Sequence, residues 1–350
     1  MSKKMAVVGA GAAGSYIGAF LTREGHDVTI LDMWGEHVEM MRSEGLKVTG
    51  TQGPFEVPVK AHHFTDAMQL NEEFDIIFLA VKSYDTEWVA HFAKRLLKQD
   101  GVMVDNQNCM NDSLVASIVG FERAIGCVMS SITVGLWEPG LVNRGGAIGR
   151  DTGHDVFRVG ELHGRITSRA EEIAEILSCI DGSRATSNIW GERWSKLVTN
   201  ASSNPITAMT GLGSSGAAEI SDARRLQIEI SKECCQVGLA QNFDIEAIKG
   251  LPAEKWADAD KGDVYEELDA KFLPDGSRGD WKSSMSQDVT KGRRTEIEFM
   301  NGFIAREGNR SGIPTPVNSA ITSVVSEIDA GIRKPEEGNI REVLLRAGLS

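Results

Sequence analysis

The sequence has no long apolar run, few cysteines and a deficit of basic residues. No apolar segment approaches the ~20 residues that a membrane-spanning helix requires. Lys and Arg number 37 against 50 Asp and Glu, and this net charge of −13 argues against nucleic acid or a membrane as partners. The five cysteines contain no CxxC pair and no metal-ligand spacing, so we expect reduced thiols, no metal and a cytoplasmic location. A strand-like segment begins directly after Lys4, so we expect no signal peptide.

Histidine is absent from the second half of the chain. The seven histidines are His26, His37, His62, His63, His91, His154 and His163. A dehydrogenase that uses a histidine acid from a C-terminal domain is therefore excluded. Any general acid in the second half must be another type of residue.

The N-terminus predicts a dinucleotide-binding turn. The apolar run from Met5 to Val8 has the character of a buried strand, and a helical pattern follows from Tyr16. Between them lies a Gly-x-Gly-x-x-Gly sequence, whose glycines allow a tight turn, close approach of a pyrophosphate, and close packing of helix on strand. The helix N-terminus then offers free N–H groups to the phosphates. The expected cofactor-binding residues of this turn are Gly9, Gly11, Ala12, Ala13 and Gly14.

Asp32 ends the next strand-like run and indicates which dinucleotide binds. It follows Gly9 by roughly the 20 residues expected for a ribose-binding carboxylate. A carboxylate there accepts hydrogen bonds from both ribose hydroxyls but repels a 2′-phosphate. An NADP site usually has Arg or Lys nearby, whereas here no basic residue follows until His37 and Arg42. We therefore predict NAD as the preferred cofactor.

The first half of the chain alternates strand-like and amphipathic segments, which predicts a parallel sheet with crossover helices. Lys82 and Asn108 follow two of the strands, and ligands bind beyond the carboxyl ends of such strands, so we expect both residues near nicotinamide or substrate. From about Ser187 the pattern is almost entirely helical. The predicted fold is a Rossmann-type α/β dinucleotide-binding domain, residues 1–187, followed by an all-α substrate and dimerisation domain, residues 188–350.

A predicted helix around Lys196 carries a second candidate site. Lys196, Asn200 and Asn204 recur every four residues and would share one face, beside apolar residues that we expect in the core. A lysine can serve as a general acid, because it has three donors and a pKa that falls on desolvation. The alternative is a solvated helix face, although asparagine is a poor choice there because it competes with the helix backbone.

Two later helix starts add polar candidates. Ser284 is predicted to be the N-cap of a short helix that Gly292 ends, and its hydroxyl and helix N-terminus would suit a carboxylate. Thr295 and Glu298 form a second predicted capping box that opens a long helix. Glu296 would lie in the first turn of that helix, where capping alone could explain its charge. A break at Gly292 would let Ser284 and Glu296 point into one cleft.

With these residues identified, the chain resembles the ketopantoate reductases (2-dehydropantoate 2-reductases) over nearly its full length. The resemblance implies a Rossmann domain, a helical domain and an active site in the cleft between them. It implies that Lys196 is the general acid, with Glu296 beside the reacting centre and Lys82 near the cofactor. It assigns substrate binding to Asn108, Asn200, Asn204 and Ser284. The motifs that carry the resemblance are Gly9-x-Gly11-x-x-Gly14, Val81-Lys82, Gln107-Asn108, Trp194-x-Lys196-Leu197-x-x-Asn200, Asn204-Pro205-Ile206-Thr207-Ala208, Ser283-Ser284-Met285-x-Gln287-Asp288, and Thr295-Glu296-Ile297 with Asn301-Gly302.

Three departures from the family's pattern bear on the substrate. Asp32 stands where NADP-binding members have a basic residue, and Cys109 follows Asn108 where glycine is usual. The segment 246–282, which ends at Trp281 and Lys282 before Ser284, looks longer than the family's connection. We predict that this segment covers the cleft and helps to select a substrate other than ketopantoate. The alternative is a solvated surface excursion, because loop length costs little stability.

The sequence therefore predicts a homodimeric oxidoreductase that interconverts a 2-keto acid and a 2-hydroxy acid, with Lys196 as general acid and base. One alternative is an NAD-linked dehydrogenase of the same fold that acts on a bulkier hydroxy acid or an imine. Another is a non-catalytic NAD-binding sensor, which need not keep all of the polar candidates together.

Overall fold

The computed structural model describes residues 3–67, 69–273 and 282–349. The chain forms two compact units, Met1–Ile189 and Trp190–Ser350. The first unit contains a mostly parallel sheet with helices and the second is helical, which confirms the predicted fold class. Among the described residues, no helix has both the length and the apolar character needed to cross a membrane.

The first unit contains an eight-stranded sheet of order β12-β11-β8-β7-β6-β1-β2-β5 and a four-stranded sheet of order β4-β3-β10-β9. In the larger sheet, only the β8–β11 pair is antiparallel. The central strands β1 and β6 are apolar and buried, as expected for parallel strands with both faces covered. The strands are β1 Lys4–Val8, β2 Asp27–Asp32, β3 Leu46–Gly50, β4 Phe55–Val57, β5 Lys60–His63, β6 Phe74–Leu79, β7 Leu97–Asp105, β8 Ala124–Met129, β9 Thr133–Glu138, β10 Leu141–Gly145, β11 Phe157–Glu161 and β12 Ser183–Ala185.

The helices connect these strands and then make up the described part of the second unit. Those of the first unit are α1 Ala12–Arg23, α2 Gly35–Glu44, α3 Phe64–Ala67, α4 Thr86–Lys94, α5 Asp112–Val119 and α6 Ser168–Ser178. The later helices are α7 Ile189–Thr210, α8 Ser214–Glu219, α9 Ser221–Ala240, α10 Ala253–Ala257, α11 Val264–Ala270, α12 Ser284–Thr290, α13 Asn301–Ser311, α14 Pro316–Asp329 and α15 Gly338–Ala347.

The smaller sheet is a feature that the sequence did not predict as a separate layer. Helix α1 contacts strands of both sheets. Its Tyr16 hydroxyl accepts a hydrogen bond from Arg144 of β10, and Arg144 forms a fully buried ion pair with Asp181. The Asp181 carboxylate also accepts the backbone N–H groups of Gly149 and Arg150. This buried network joins the two sheets of the first unit.

Two predicted helix starts are wrong in detail. The N-cap of α12 is Ser283, whose Oγ accepts the N–H of Ser286 at 3.1 Å, and Ser284 is the first helical residue. Thr295 does not open a long helix, because its N–H and hydroxyl both donate to Asp329 Oδ2, at 3.1 and 2.7 Å. A 3₁₀ turn, Ile297–Phe299, comes first, and α13 begins only at Asn301. Glu296 is consequently the N-cap of the 3₁₀ turn rather than a first-turn residue of a long helix.

The described part of the segment 246–282 is not a solvated excursion, because α10 and α11 both pack on α9. Trp256 is fully buried and its Nε1–H donates to the Ile248 carbonyl at 3.2 Å. Arg224 of α9 donates from Nε to Asp269 of α11 at 2.8 Å. Removing α10 and α11 would therefore uncover α9. Trp281 lies outside the described residues, and a covering role for the segment stays a prediction.

The C-terminal helix α15 is held to α14 by two arginines that share one carboxylate. Glu327 of α14 accepts hydrogen bonds from Arg346 Nη1 at 2.5 Å and from Arg333 Nε at 2.8 Å. These two hydrogen bonds, that of Arg346 first, lower the pKa of Glu327 from 4.5 to about 2. A carboxyl group whose pKa is lower in the folded state stabilises the fold above its unfolded-state pKa. That contribution is lost as the pH falls towards the folded-state value.

We expect Glu327→Gln to lower the free energy of unfolding near pH 7 and to have little effect near pH 2, because the wild-type carboxylate is then being protonated. Urea unfolding of both proteins between these pH values measures the difference. Glu337→Gln is the matched control, since Glu337 is exposed and makes no side-chain cap hydrogen bond at the start of α15. A difference that does not change with pH would contradict this account.

Candidate active site

The glycine-rich turn between β1 and α1 has the backbone that a pyrophosphate site requires. Gly9 has φ +97°, and a Cβ there would lie 2.6–2.9 Å from atoms of Val81 and Ala80. A Cβ on Gly14 would lie 1.9 Å from the Gly9 carbonyl oxygen. At Gly11, by contrast, a Cβ would meet no protein atom within 4 Å. The protein itself therefore requires glycine at positions 9 and 14, whereas at position 11 only an approaching ligand would need the space.

The N-terminus of α1 completes this turn. Gly11 is the N-cap, and no side chain caps the helix. The N–H groups of Ala12, Ala13 and Gly14 belong to the first turn, where no earlier helical carbonyl is available to them. These donors and the positive end of the helix dipole suit a phosphate group. The turn therefore fits a dinucleotide.

Asp32 lies at the end of β2, beside this turn. Its carboxylate accepts the N–H of Ala10 at 2.5 Å and the N–H of Trp34 at 2.8 Å. Two backbone donors thus fix the carboxylate at the carboxyl edge of the sheet. A carboxylate has about four acceptor positions, so capacity remains for the hydroxyl groups of a ribose.

The basic residues that follow Asp32 are committed to other contacts. Arg42 donates to Ala61 O at 2.9 Å, to Glu39 at 2.6 Å and to Asp66 at 2.8 Å. His37 is fully buried and accepts the N–H of Gly140 on Nδ1 at 2.9 Å, so its proton lies on Nε2. Burial lowers the pKa of His37, against the opposing effect of Asp32. Neither side chain therefore offers a ready positive charge to a 2′-phosphate.

His37 also supports the glycine-rich turn, which the sequence did not reveal. Its Nε2 lies 3.0 Å from Ser15 Oγ, and that hydroxyl donates to the Ala10 carbonyl at 2.8 Å. Since Nδ1 is occupied by Gly140, His37 donates to Ser15. A chain of hydrogen bonds therefore runs from the β9–β10 turn of the smaller sheet to the glycine-rich turn.

Lys82 and Asn108 follow β6 and β7, which are adjacent in the sheet, with Leu79 paired to Asp105. Gln107 Nε2 donates to Val81 O and to Thr86 Oγ1, both at 2.8 Å. A second tether is Asn111, whose Nδ2 donates to Asn108 O and to Ser83 Oγ. The two strand ends are therefore tied together beside β1. The role of Asn111 was not predicted from the sequence.

Cys109 adopts the conformation that glycine favours. It has φ +66°, in the left-handed region, and its side chain is buried. For a residue other than glycine this conformation costs about 1–2 kcal/mol. Cysteine at this position is thus accommodated with backbone strain and places a buried side chain next to Asn108 in the sequence.

In the second unit, α7 is continuous from Ile189 to Thr210 and carries Lys196, Asn200 and Asn204 on one face. Lys196 and Asn200 are half-buried and Asn204 is buried. The neighbouring apolar residues of the helix lie in the core, as predicted; they are Leu197, Val198 and Ala201. The helix therefore offers one amine and two amides on a face that borders the core.

Helix α12 is joined to this helix through Ser283. Its Oγ lies 2.7 Å from Thr207 Oγ1 and 3.3 Å from the Asn204 carbonyl oxygen. The next residue, Ser284, is half-buried. Glu296, only 4% exposed, precedes the 3₁₀ turn that leads into α13. Ser284 and Glu296 thus belong to elements of the second unit, as Lys196 does, and their assigned roles stay predictions.

Two sequence models of one family match the two halves of the chain. The sequence model described as ketopantoate reductase PanE/ApbA matches residues 5–154, and that described as ketopantoate reductase PanE/ApbA C terminal matches residues 188–329. A 2-dehydropantoate 2-reductase of Aquifex aeolicus is 30% identical over 328 residues, which cover 93% of this chain and 96% of the relative. That of Archaeoglobus fulgidus is 29% identical over 339 residues, which cover 94% and 99%.

A solved structure has the same fold. It is described as the ternary structure of D-mandelate dehydrogenase with NADH and anilino(oxo)acetate, and it is 22% identical with a TM-score of 0.79. The match covers 94% of this chain and 99% of that one. The chain therefore belongs to the ketopantoate reductase family and is a nicotinamide-dinucleotide-dependent oxidoreductase that interconverts a 2-keto acid and a 2-hydroxy acid.

Proposed function

We propose that Lys196 is the general acid and base of this reaction and that NAD is the preferred dinucleotide. The observation that carries the first proposal is the placement of Lys196, Asn200 and Asn204 on one face of α7, beside the core. Asparagine is unfavourable inside a helix unless its amide serves another purpose. Two asparagines in line with a lysine are best explained by a bound polar ligand.

In the proposed chemistry the bound nicotinamide dinucleotide supplies or accepts the hydride. Negative charge develops on the carbonyl oxygen of the keto acid during reduction, and Lys196 stabilises it and donates a proton from Nζ. In the oxidative direction the neutral amine of Lys196 accepts the hydroxyl proton. Glu296 lies beside the reacting centre in this proposal.

The other candidate residues bind and orient the ligands. Asn200 and Asn204 orient the polar tail of the substrate, while Ser284 and Asn108 hold its carboxylate. Lys82 lies near the cofactor. The pyrophosphate binds at the turn formed by Gly9, Gly11, Ala12, Ala13 and Gly14.

The preference for NAD is supported by the surroundings of Asp32. The carboxylate is fixed by two backbone N–H groups, and it would repel a 2′-phosphate. His37 is held neutral by burial, and Arg42 is paired with Glu39 and Asp66. A 2′-phosphate would thus meet a carboxylate without a compensating charge from either residue.

The substrate beyond the 2-keto acid class is a separate proposal. We infer a substrate other than ketopantoate, because Cys109 adds a side chain next to Asn108, at a position where the resemblance leads us to expect glycine. D-mandelate dehydrogenase, similar in fold, is named for a bulkier hydroxy acid. Turnover with a panel of aliphatic and aromatic 2-keto acids tests this, and efficient reduction of ketopantoate would contradict it.

A homodimer located in the cytoplasm is the assembly that we propose. A solved ketopantoate reductase of Staphylococcus aureus, 17% identical with a TM-score of 0.68, is described as dimeric. Sedimentation of the purified protein measures its oligomeric state.

We expect Gly11→Ala to lower dinucleotide affinity by at least about tenfold, because the added methyl group occupies space that only the ligand needs. The free energy of unfolding should change by no more than about 1 kcal/mol, since φ −64° suits alanine but an N-cap favours glycine over alanine. Gly14→Ala is the contrasting variant and should lose about 1–3 kcal/mol of stability or more through its clash with Gly9. Titration of NADH by fluorescence and urea unfolding measure both effects. Wild-type affinity in Gly11→Ala would refute the assignment of the turn.

The wild-type enzyme should use NADH at least about tenfold more efficiently than NADPH, which requires only ~1.4 kcal/mol of discrimination. Asp32→Arg should shift this preference towards NADPH. Because the Asp32 carboxylate also holds Ala10 and Trp34, Asp32→Asn serves as the control that removes the charge and keeps an acceptor. kcat/KM for both cofactors is the measurement, and a wild-type preference for NADPH would show that the interpretation of Asp32 is wrong.

Lys196→Ala should lower kcat by on the order of 10²–10⁴, because it removes both the acid and an electrostatic stabiliser. NADH binding should be retained. Ser195→Ala is the neighbouring control, since the Ser195 hydroxyl donates to the Ala247 carbonyl at 3.2 Å and has no proposed role in the reaction. Undiminished turnover in Lys196→Ala would reject the assigned role. Retention of NADH binding without turnover of any acid by the wild-type enzyme would favour the sensor alternative.

A further inference from the structure

Pro205 leaves one carbonyl of α7 without its helical donor. In an α-helix the Ala201 oxygen would accept the N–H of residue 205, but proline has none, and its ring crowds the carbonyl four residues earlier. Ala201 is fully buried. A buried carbonyl without a partner is costly. The position matters because Ala201 lies between Asn200 and Asn204.

The side chain of Asn301 supplies the missing donor. Its Nδ2 donates to the Ala201 carbonyl oxygen at 3.1 Å, from the first residue of α13. Asn301 is fully buried. The contact joins two segments of the second unit that are far apart in sequence. It replaces a backbone hydrogen bond of α7 by a side-chain hydrogen bond from another helix.

The orientation of the Asn301 amide is fixed by its second hydrogen bond. Nδ2 also donates to Asn318 Oδ1 at 3.0 Å, which uses both of its hydrogens. Asn318 in turn donates from Nδ2 to Glu233 Oε2 at 2.7 Å. The Glu233 carboxylate accepts the N–H groups of Val317 and Asn318, at 2.9 Å each. A buried chain of polar groups from α9 and α14 therefore aims the Asn301 amide at α7.

We propose that Asn301 is a positioning residue for the reaction: it holds the turn of α7 around Pro205 and so sets where Asn200 and Asn204 present their amides. The inference rests on the proposed function, which assigns orientation of the substrate to Asn200 and Asn204. Asn301 acts through the Ala201 carbonyl and does not touch the substrate. Ser283 contacts the same helix further along, where its Oγ lies 3.3 Å from the Asn204 carbonyl oxygen.

The proposal differs from a purely structural role in what it predicts for the folded enzyme. A residue that only stabilises the core would lower stability and leave the kinetics of the folded protein unchanged. If the substrate-binding turn is displaced, the substrate is held less well in its reactive orientation. A shift of the binding groups by about 1 Å can reduce the rate by up to about a hundredfold. The dinucleotide turn belongs to the first unit, so cofactor affinity should not respond.

The test is a double-mutant cycle of Asn301→Leu and Pro205→Ala. Asn301→Leu removes the donor at nearly constant volume, and Pro205→Ala restores a backbone N–H to Ala201. For each protein we would measure kcat and KM for the best 2-keto acid, the affinity for NADH, and urea unfolding. Asn309→Leu is the matched control, an exposed asparagine on the same helix.

We expect Asn301→Leu to lower kcat/KM by about ten- to a hundredfold with NADH affinity unchanged. Pro205→Ala and Asn309→Leu should stay within about twofold of wild type. The double variant should recover most of the lost kcat/KM, because the carbonyl regains its donor. The proposal would be overturned if the fold-losses of kcat/KM in the two single variants multiplied in the double variant. Wild-type kcat/KM in Asn301→Leu would overturn it as well.

Two further outcomes remain decisive. If Asn301→Leu does not fold, recovery of folded, active enzyme in the double variant supports the proposal, and failure of both overturns it. If the wild-type enzyme turns over no 2-keto acid, the proposed function fails by itself. In that case, the free energies of unfolding of the wild type, the two single variants and the double variant show whether Asn301 and Pro205 are coupled through Ala201.

Discussion

The first unit depends on the close approach of two backbones at the start of the chain. Helix α1 packs so tightly on the end of β1 that a methyl group on Gly14 would overlap the Gly9 carbonyl oxygen. This contact sets the first turn of α1 directly beyond the carboxyl end of β1. Parallel pairing makes β2, β6 and β7 end at the same edge as β1, so Asp32 lies at that edge and Lys82 and Asn108 follow it. Tertiary packing of the helix and the capacity to bind a phosphate are thus consequences of one geometric requirement.

In the second unit, the main constraint is the buried carbonyl that Pro205 leaves without its helical donor. Proline inside α7 removes one donor, and the structure compensates with an asparagine from another helix rather than with solvent. The compensating side chain is itself held by Asn318 and Glu233. This connected chain of hydrogen bonds favours one orientation of the Asn301 amide, because breaking a hydrogen bond in it leaves a buried donor or acceptor unpaired. The turn of α7 between Asn200 and Asn204 is therefore held by side chains from outside the helix.

The sequence predicted the features that depend on local spacing. The strand–turn–helix at Gly9 to Gly14, Asp32 at the end of β2, and the helical face of Lys196 follow from periodicity and glycine chemistry alone. The smaller sheet was missed as a separate layer because β3 and β4 are short and β3 pairs with the distant β10. Local rules cannot identify a pairing across that separation.

The errors at the helix starts have the same origin. Adjacent serines at positions 283 and 284 both suit an N-cap, and the structure uses Ser283, which also contacts Thr207 and Asn204 O. Thr295 fits a capping box, but Asp329 takes its hydroxyl and N–H. In each case a partner distant in sequence decides between local alternatives of similar energy. Asn301 belonged to a recognised motif, yet its contact with Ala201 needed the folded second unit.

The negative net charge of the chain constrains how the site can bind its anionic ligands. A protein of net charge −13 must bind a dinucleotide diphosphate and an acid, both of them anions. In the described part of the first unit, the glycine-rich turn offers backbone N–H groups and a helix dipole, which would suit phosphates without a cation. His37 strengthens that turn as a neutral hydrogen-bonding group, because burial lowers its pKa. In the proposed site, the ammonium group of Lys82 lies near the cofactor, and that of Lys196 stabilises the developing oxyanion and so acts on the transition state itself.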